Sequence, residues 1–87
     1  MWTVRYSDSV VRVDIPRLDH AVRRRIQQAI ETKLMRDPVR FGKPLRYSLH
    51  RISSLRVGDW RVLYHVDHAA MTVSVVSIGH RRDVYDD

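Results

Sequence analysis

The chain has 87 residues, 44% of them hydrophobic, a formal net charge of +6, a pI of about 10.5 and no cysteine. That length suits one small domain over residues 1–87 with one core, and the cysteine count excludes disulfides and thiolate metal sites. No run is long and apolar enough for a membrane span, and Met1-Trp2-Thr3-Val4-Arg5 leads straight into a strand-like run rather than a signal peptide. A cytoplasmic location with no membrane partner is therefore expected.

Lys33 and Lys43 are the only lysines, so nearly all the positive charge is arginine, whose planar fork suits phosphate and carboxylate. Such a balance points to a polyanion or an acidic protein as partner, or else serves solubility alone. Trp2, Val4 and Tyr6 alternate as one face of a short strand, and Ser7, Asp8 and Ser9 then offer helix N-caps. Val11, Val13 and Ile15 alternate like a strand, whereas Val11, Ile15 and Leu18 keep helical spacing. The reading adopted is a short, irregular helix bent or broken near Pro16, whose ring costs a helix interior about 3 kcal/mol. Asp19 caps the next helix, with Val22, Ile26, Ala29, Ile30 and Leu34 as its apolar stripe and Arg23, Arg24 and Arg25 on its polar side.

Residues 37–44 carry turn residues and read as a loop. Leu45 to Val57 reads as an interrupted strand, Asp59 to Val66 as the next and Met71 to Ile78 as the last. Gly58-Asp59 makes a two-residue hairpin loop, and Asp67-His68-Ala69-Ala70 makes a turn. Val62, Tyr64 and Val66 share one face of their strand, and Arg61, Leu63 and His65 the other. The fold expected is α+β: a strand, two N-terminal helices and a three-stranded meander, with the helices packed on one face of a small antiparallel sheet.

Leu55-Arg56-Val57-Gly58-Asp59-Trp60-Arg61-Val62-Leu63-Tyr64 and Gly79-His80-Arg81 followed by Asp83-Val84-Tyr85, together with Tyr6, the Val11/Ile15/Leu18 spacing, Pro38 and Gly42-Lys43-Pro44-Leu45, resemble toxins of the RelE/ParE superfamily of bacterial type II toxin–antitoxin systems. The resemblance runs over essentially the whole chain. It implies a cognate antitoxin whose acidic or amphipathic segment wraps the toxin, no cofactor, and one of two activities. RelE-like members are endoribonucleases (mRNA interferases) that cut mRNA on the ribosome. ParE-like members share the fold but inhibit DNA gyrase, and fold alone does not choose between them. A third possibility is a member that mainly binds its antitoxin and represses their operon.

For a nuclease, the resemblance assigns Arg61 to the phosphate, Arg81 to the leaving oxygen and Tyr85 to a base or base-stacking role. His80 is the natural acid–base candidate beside Arg81. Arg51, Arg56, His50, Trp60 and Arg82 are candidate RNA contacts. The bland reading pairs Arg61 and Arg81 with Asp59, Asp83 or Asp86. The best-known RelE nucleases carry a lysine pair where this chain has Ile52 and Ser54, a departure that favours the ParE-like alternative. His65 and His68 have metal-ligand spacing but no obvious third ligand, so no metal site is expected.

Overall fold

The computed structural model describes residues 1–45 and 51–83. Its strands are β1 (Thr3–Tyr6), β2 (Lys43–Pro44), β3 (Ile52–Val57), β4 (Trp60–Asp67) and β5 (Thr72–His80), in a single sheet of order β1-β5-β4-β3-β2. Between β1 and β2 run three helical segments. The first, α1, is Val10–Asp14 continued by Ile15–Arg17; α2 is His20–Ala29 continued by Ile30–Leu34; α3 is Pro38–Phe41.

The α+β reading holds, and the structure corrects its details. β1 pairs parallel with β5 (Val4 beside Val73, Tyr6 beside Val75), so the sheet is mixed rather than wholly antiparallel. The helices between β1 and the hairpins let the first strand join the last at the far edge. The expected loop over residues 37–44 contains a helical turn and a strand. Asp37 caps α3 by accepting the Arg40 N–H at 3.1 Å, Pro38 fills the first turn, and Lys43–Pro44 pairs with Ser54 and Ser53 of β3. Leu45 to Val57 is therefore no single strand. The Leu45 N–H donates to Ile52 O, and Arg51 enters β3 with φ 54°.

The first helix is short and irregular, as expected, although it runs through Pro16 and ends one residue later. Val10–Asp14 winds as a π turn in which Ile15 N–H reaches Val10 O, and the chain leaves the helix only at Leu18. The Ser7 hydroxyl accepts the Val10 N–H, and Asp19 caps α2 through Val22 N–H at 2.9 Å, as the sequence predicts. A second π turn ends α2, with Met35 N–H on Ile30 O. The β3–β4 hairpin turns at Gly58-Asp59, where Gly58 supplies a φ of 61°.

α1 and α2 cover one face of the sheet. Val10, Leu18, Ile26, Ile30 and Leu34 meet Leu55, Val62, Tyr64, Val73, Val75 and Ile78 in one buried cluster. Each such side chain contributes roughly 1.5–3 kcal/mol when withdrawn from water. Tyr64 lies in this core, its hydroxyl donating to Pro38 O at 2.6 Å. Gly42 makes that contact possible, because a Cβ there would sit 1.7 Å from the Tyr64 hydroxyl oxygen. Burial, with Asp37 second, pushes the Tyr64 phenol up to about 12, so it stays a neutral donor. No helix among the described residues is long and apolar enough to cross a membrane.

A cationic sheet face as the candidate active site

Strand register decides which side chains meet. Arg56 on β3 is the direct partner of Arg61 on β4, and Arg61 is the direct partner of Gly79 on β5. Cross-strand partners share a face, so these residues form one row on the side of the sheet away from the helices. Gly79 contributes only backbone to that row. The Arg81 N–H donates to Asp59 O at 2.8 Å, which extends the β4–β5 ladder by a rung and brings Arg81 to the same face. Two of the catalytic candidates from the sequence, Arg61 on β4 and Arg81 just past the end of β5, therefore lie on one face, with Arg56 beside Arg61.

The environments of these guanidiniums differ. Arg61 is only 9% exposed, and its Nη1 donates to Trp60 O at 3.3 Å. Arg56 is exposed and turns its Nε to Gly58 O at 3.2 Å. Arg81 Nε stands 3.8 Å from Asp59 Oδ1, with both side chains more than half exposed. That long, solvated ion pair contributes at most about 1 kcal/mol, so an incoming phosphate can displace it.

His80 and Trp60 occupy the opposite side. They are register partners one residue away from the Arg61–Gly79 pair, so they point toward the helix-covered face. Their rings meet edge to face, with centroids 5.4 Å apart. His80 Nδ1 accepts the Arg82 N–H at 3.2 Å, which leaves the imidazole proton on Nε2 and ties the ring to the turn that carries Arg81. Arg82 is exposed in that turn, and Arg51 is exposed just before β3. His50 and Tyr85 lie outside the described residues. His68 packs against Trp2 with ring centroids 5.7 Å apart, on a turn beyond the far end of β4.

Two contributors escaped the sequence reading. Lys43, assigned there to a loop, sits on β2 directly beside Ser54 and so faces the same way as Arg56. Asp14 of α1 accepts the Ile78 N–H on Oδ2 at 2.9 Å. β1 covers β5 only from Thr72 to Val75, and Asp14 takes over the outer edge beyond it, two residues before His80. The only sequence signal for Asp14 was a carboxylate interrupting an apolar alternation.

A second feature lies on the helix side. Val4, Tyr6, Ile15, Leu18, Ile26 and Ile30 line an open apolar groove between β1, α1 and α2, with Arg23, Gln27 and Glu31 among its polar lining. Burial and the Glu31 carboxylate raise the Tyr6 phenol above the ordinary tyrosine value, so it faces the groove as a neutral hydroxyl.

The described residues thus place an arginine row on the helix-free face of a small α+β sheet. Comparison with known proteins makes the class specific. Residues 4–85 match the family model described as the ParE toxin of the type II toxin–antitoxin system parDE. The toxin RelG of Mycobacterium tuberculosis is 34% identical over 97% of this chain and 95% of its own length. The toxin RelE of the same organism is 33% identical over 83% of this chain and 74% of its own. The crystal structure of the M. tuberculosis toxin–antitoxin complex RelBE2 superposes with a TM-score of 0.84 at 34% identity, covering 92% of this chain and 91% of that one. The chain belongs to the RelE/ParE superfamily of type II toxin–antitoxin toxins, on its RelE-like side.

Proposed function

We propose that this toxin is an endoribonuclease that cuts mRNA on the ribosome and is neutralised by a cognate antitoxin. The observation that carries this reading is the Arg56–Arg61–Gly79 row with Arg81 at its end. Arginines directly opposite one another repel, and a bridging phosphate turns that repulsion into bidentate attraction. The glycine in the row removes a side chain that would crowd the phosphate.

In the reaction the substrate's 2′-oxygen attacks the neighbouring phosphorus. The 2′-hydroxyl proton passes to a base, the bond to the 5′-oxygen breaks, and that oxygen, its charge offset by Arg81, takes up a proton from water. The products are a 2′,3′-cyclic phosphate and a 5′-hydroxyl end. Arg61 holds the non-bridging oxygens and offsets the charge they gain, while Arg81 exchanges Asp59 for the leaving 5′-oxygen. The guanidiniums supply the positive charge, so the step needs no metal. Tyr85 is the proposed base, on the strength of the sequence resemblance. His80, facing the helices and tied to the Arg82 N–H, acts by holding the turn that presents Arg81. The apolar groove and the arginine face are the proposed antitoxin surfaces, suited to an amphipathic segment with acidic flanks.

A second reading, inhibition of DNA gyrase, draws on Ile52 and Ser54, which leave β3 without lysines, and on the name of the matching family model. The RelG and RelE relatives favour the nuclease. Mapping mRNA 5′ ends in a cell-free translation reaction separates the two. New ends within translated codons, dependent on ribosomes, are expected. Intact mRNA together with blocked supercoiling by gyrase would establish the second reading instead.

A further inference from the structure

Lys43 adds a cation to the arginine face, beside Ser54 and so two residues along the strands from the Arg56–Arg61–Gly79 rung, on the side away from Arg81. Read inward from the β2 edge, the helix-free face carries one cation for each of four consecutive strands: Lys43 on β2, Arg56 on β3, Arg61 on β4 and Arg81 just past β5. Neighbouring strands are about 4.8 Å apart, so this stripe crosses roughly 14 Å of sheet, far more than one phosphodiester occupies. Lys43 is exposed, and among the described residues no carboxylate lies within ion-pair distance of it.

Its place is also anchored. The preceding residue, Gly42, backs onto the Tyr64 hydroxyl, which is itself bonded to Pro38 O. The following residue, Pro44, has no N–H and suits the outer edge of a sheet. Ser54, the partner of Lys43, presents only a short side chain, so it leaves the ammonium free to swing over the face toward Arg56.

We propose that Lys43 binds a phosphate of the RNA strand outside the cleaved linkage, so that the substrate crosses the sheet obliquely from β2 to the end of β5. The inference rests on the nuclease reading and adds to it the path of the substrate. A lysine is a point charge on a flexible stem. In this position it fixes the register of a backbone phosphate and carries no sequence information.

The test is equilibrium binding of a short 2′-O-methyl oligoribonucleotide, which the enzyme cannot cut, across a series of salt concentrations, paired with single-turnover cleavage of translated mRNA. Lys43→Ala is expected to lower the salt slope by about 0.7, the share of one single-strand phosphate, and to weaken binding equally for different sequences. The maximal single-turnover rate should stay within twofold of wild type, and Lys43→Arg should restore the slope. An unchanged slope and affinity in Lys43→Ala would overturn the proposal while the nuclease reading stood. A wild type that binds the oligonucleotide through Lys43 yet cuts no mRNA would sink the nuclease reading and leave the contact standing. A wild type that binds no RNA would overturn the contact outright.

Discussion

The two faces of this sheet are built from the same strands by opposite rules. On the helix-covered side, Leu55, Val62, Tyr64, Val73, Val75 and Ile78 are closed over by α1 and α2, and the Tyr64 phenol has its partner in Pro38 O. On the other side, Lys43, Arg56 and Arg61 stand in adjacent strands, with Arg56 and Arg61 as direct partners. One face holds the buried apolar cluster, and the other carries the residues of the proposed site. Alternation along β4 makes the division sharp: Trp60 and Val62 belong to the first face, and Arg61 between them belongs to the second.

That division can be broken from either side. The largest effect should come from Arg61→Met, which keeps the stem and removes the guanidinium. Cleavage of translated mRNA is expected to fall roughly 10²–10³-fold, as for loss of one charge-stabilising donor, while the thermal midpoint changes little. A variant that cuts normally would remove Arg61 from the chemistry.

On the helix side the expected pattern reverses. Tyr64→Phe strands the Pro38 carbonyl and should cost about 1–3 kcal/mol in denaturant unfolding, with the cleavage rate of the folded protein unchanged. The same residue gives a pH signature. Its phenol ionises near 10 when unfolded and at about 12 when folded, so its contribution is fully present below pH 10 and is lost as pH rises from 10 toward 12. Tyr64→Phe should flatten the fall in stability over that window, and a profile identical to wild type would show that the buried hydroxyl is not its source.

A smaller, more local change is expected from Asp14→Ala, which removes the acceptor of the Ile78 N–H. Hydrogen exchange at Ile78 should quicken about tenfold or more while Val62 stays protected, and Asp14→Asn, which keeps an acceptor oxygen, should restore most of it. Equal quickening at both amides would mean that Asp14 supports the whole domain rather than the end of β5.

The sequence was most informative where local chemistry decides the outcome. Gly58-Asp59 gave the hairpin, Asp19 the start of α2, and the helical stripe the buried face. It was least informative where distant segments decide. The parallel β1–β5 pair joins residues on either side of both helices, and α3 and β2, of four and two residues, depend on Asp37 capping, on the Tyr64 contact and on β3 as partner. Lys43 looked like loop for that reason. Of the candidate site, the arginines and His80 stood out in the sequence as residue types beside glycines. The face each one takes was hidden, because β5 slips register against β4 at Leu63/Tyr64, and an alternation counted from Val75 puts His80 on the wrong side.

The central claim is that the helix-free face does the chemistry and that His80, on the other face, only supports it. The direct test is to compare Arg81→Ala and His80→Ala in the same ribosome-dependent cleavage assay, with folding checked by thermal unfolding. Arg81→Ala should lose at least about a hundredfold in rate, and His80→Ala should stay within about tenfold of wild type. A His80 variant as inactive as the Arg81 variant, or an Arg81 variant that still cuts, would contradict the account.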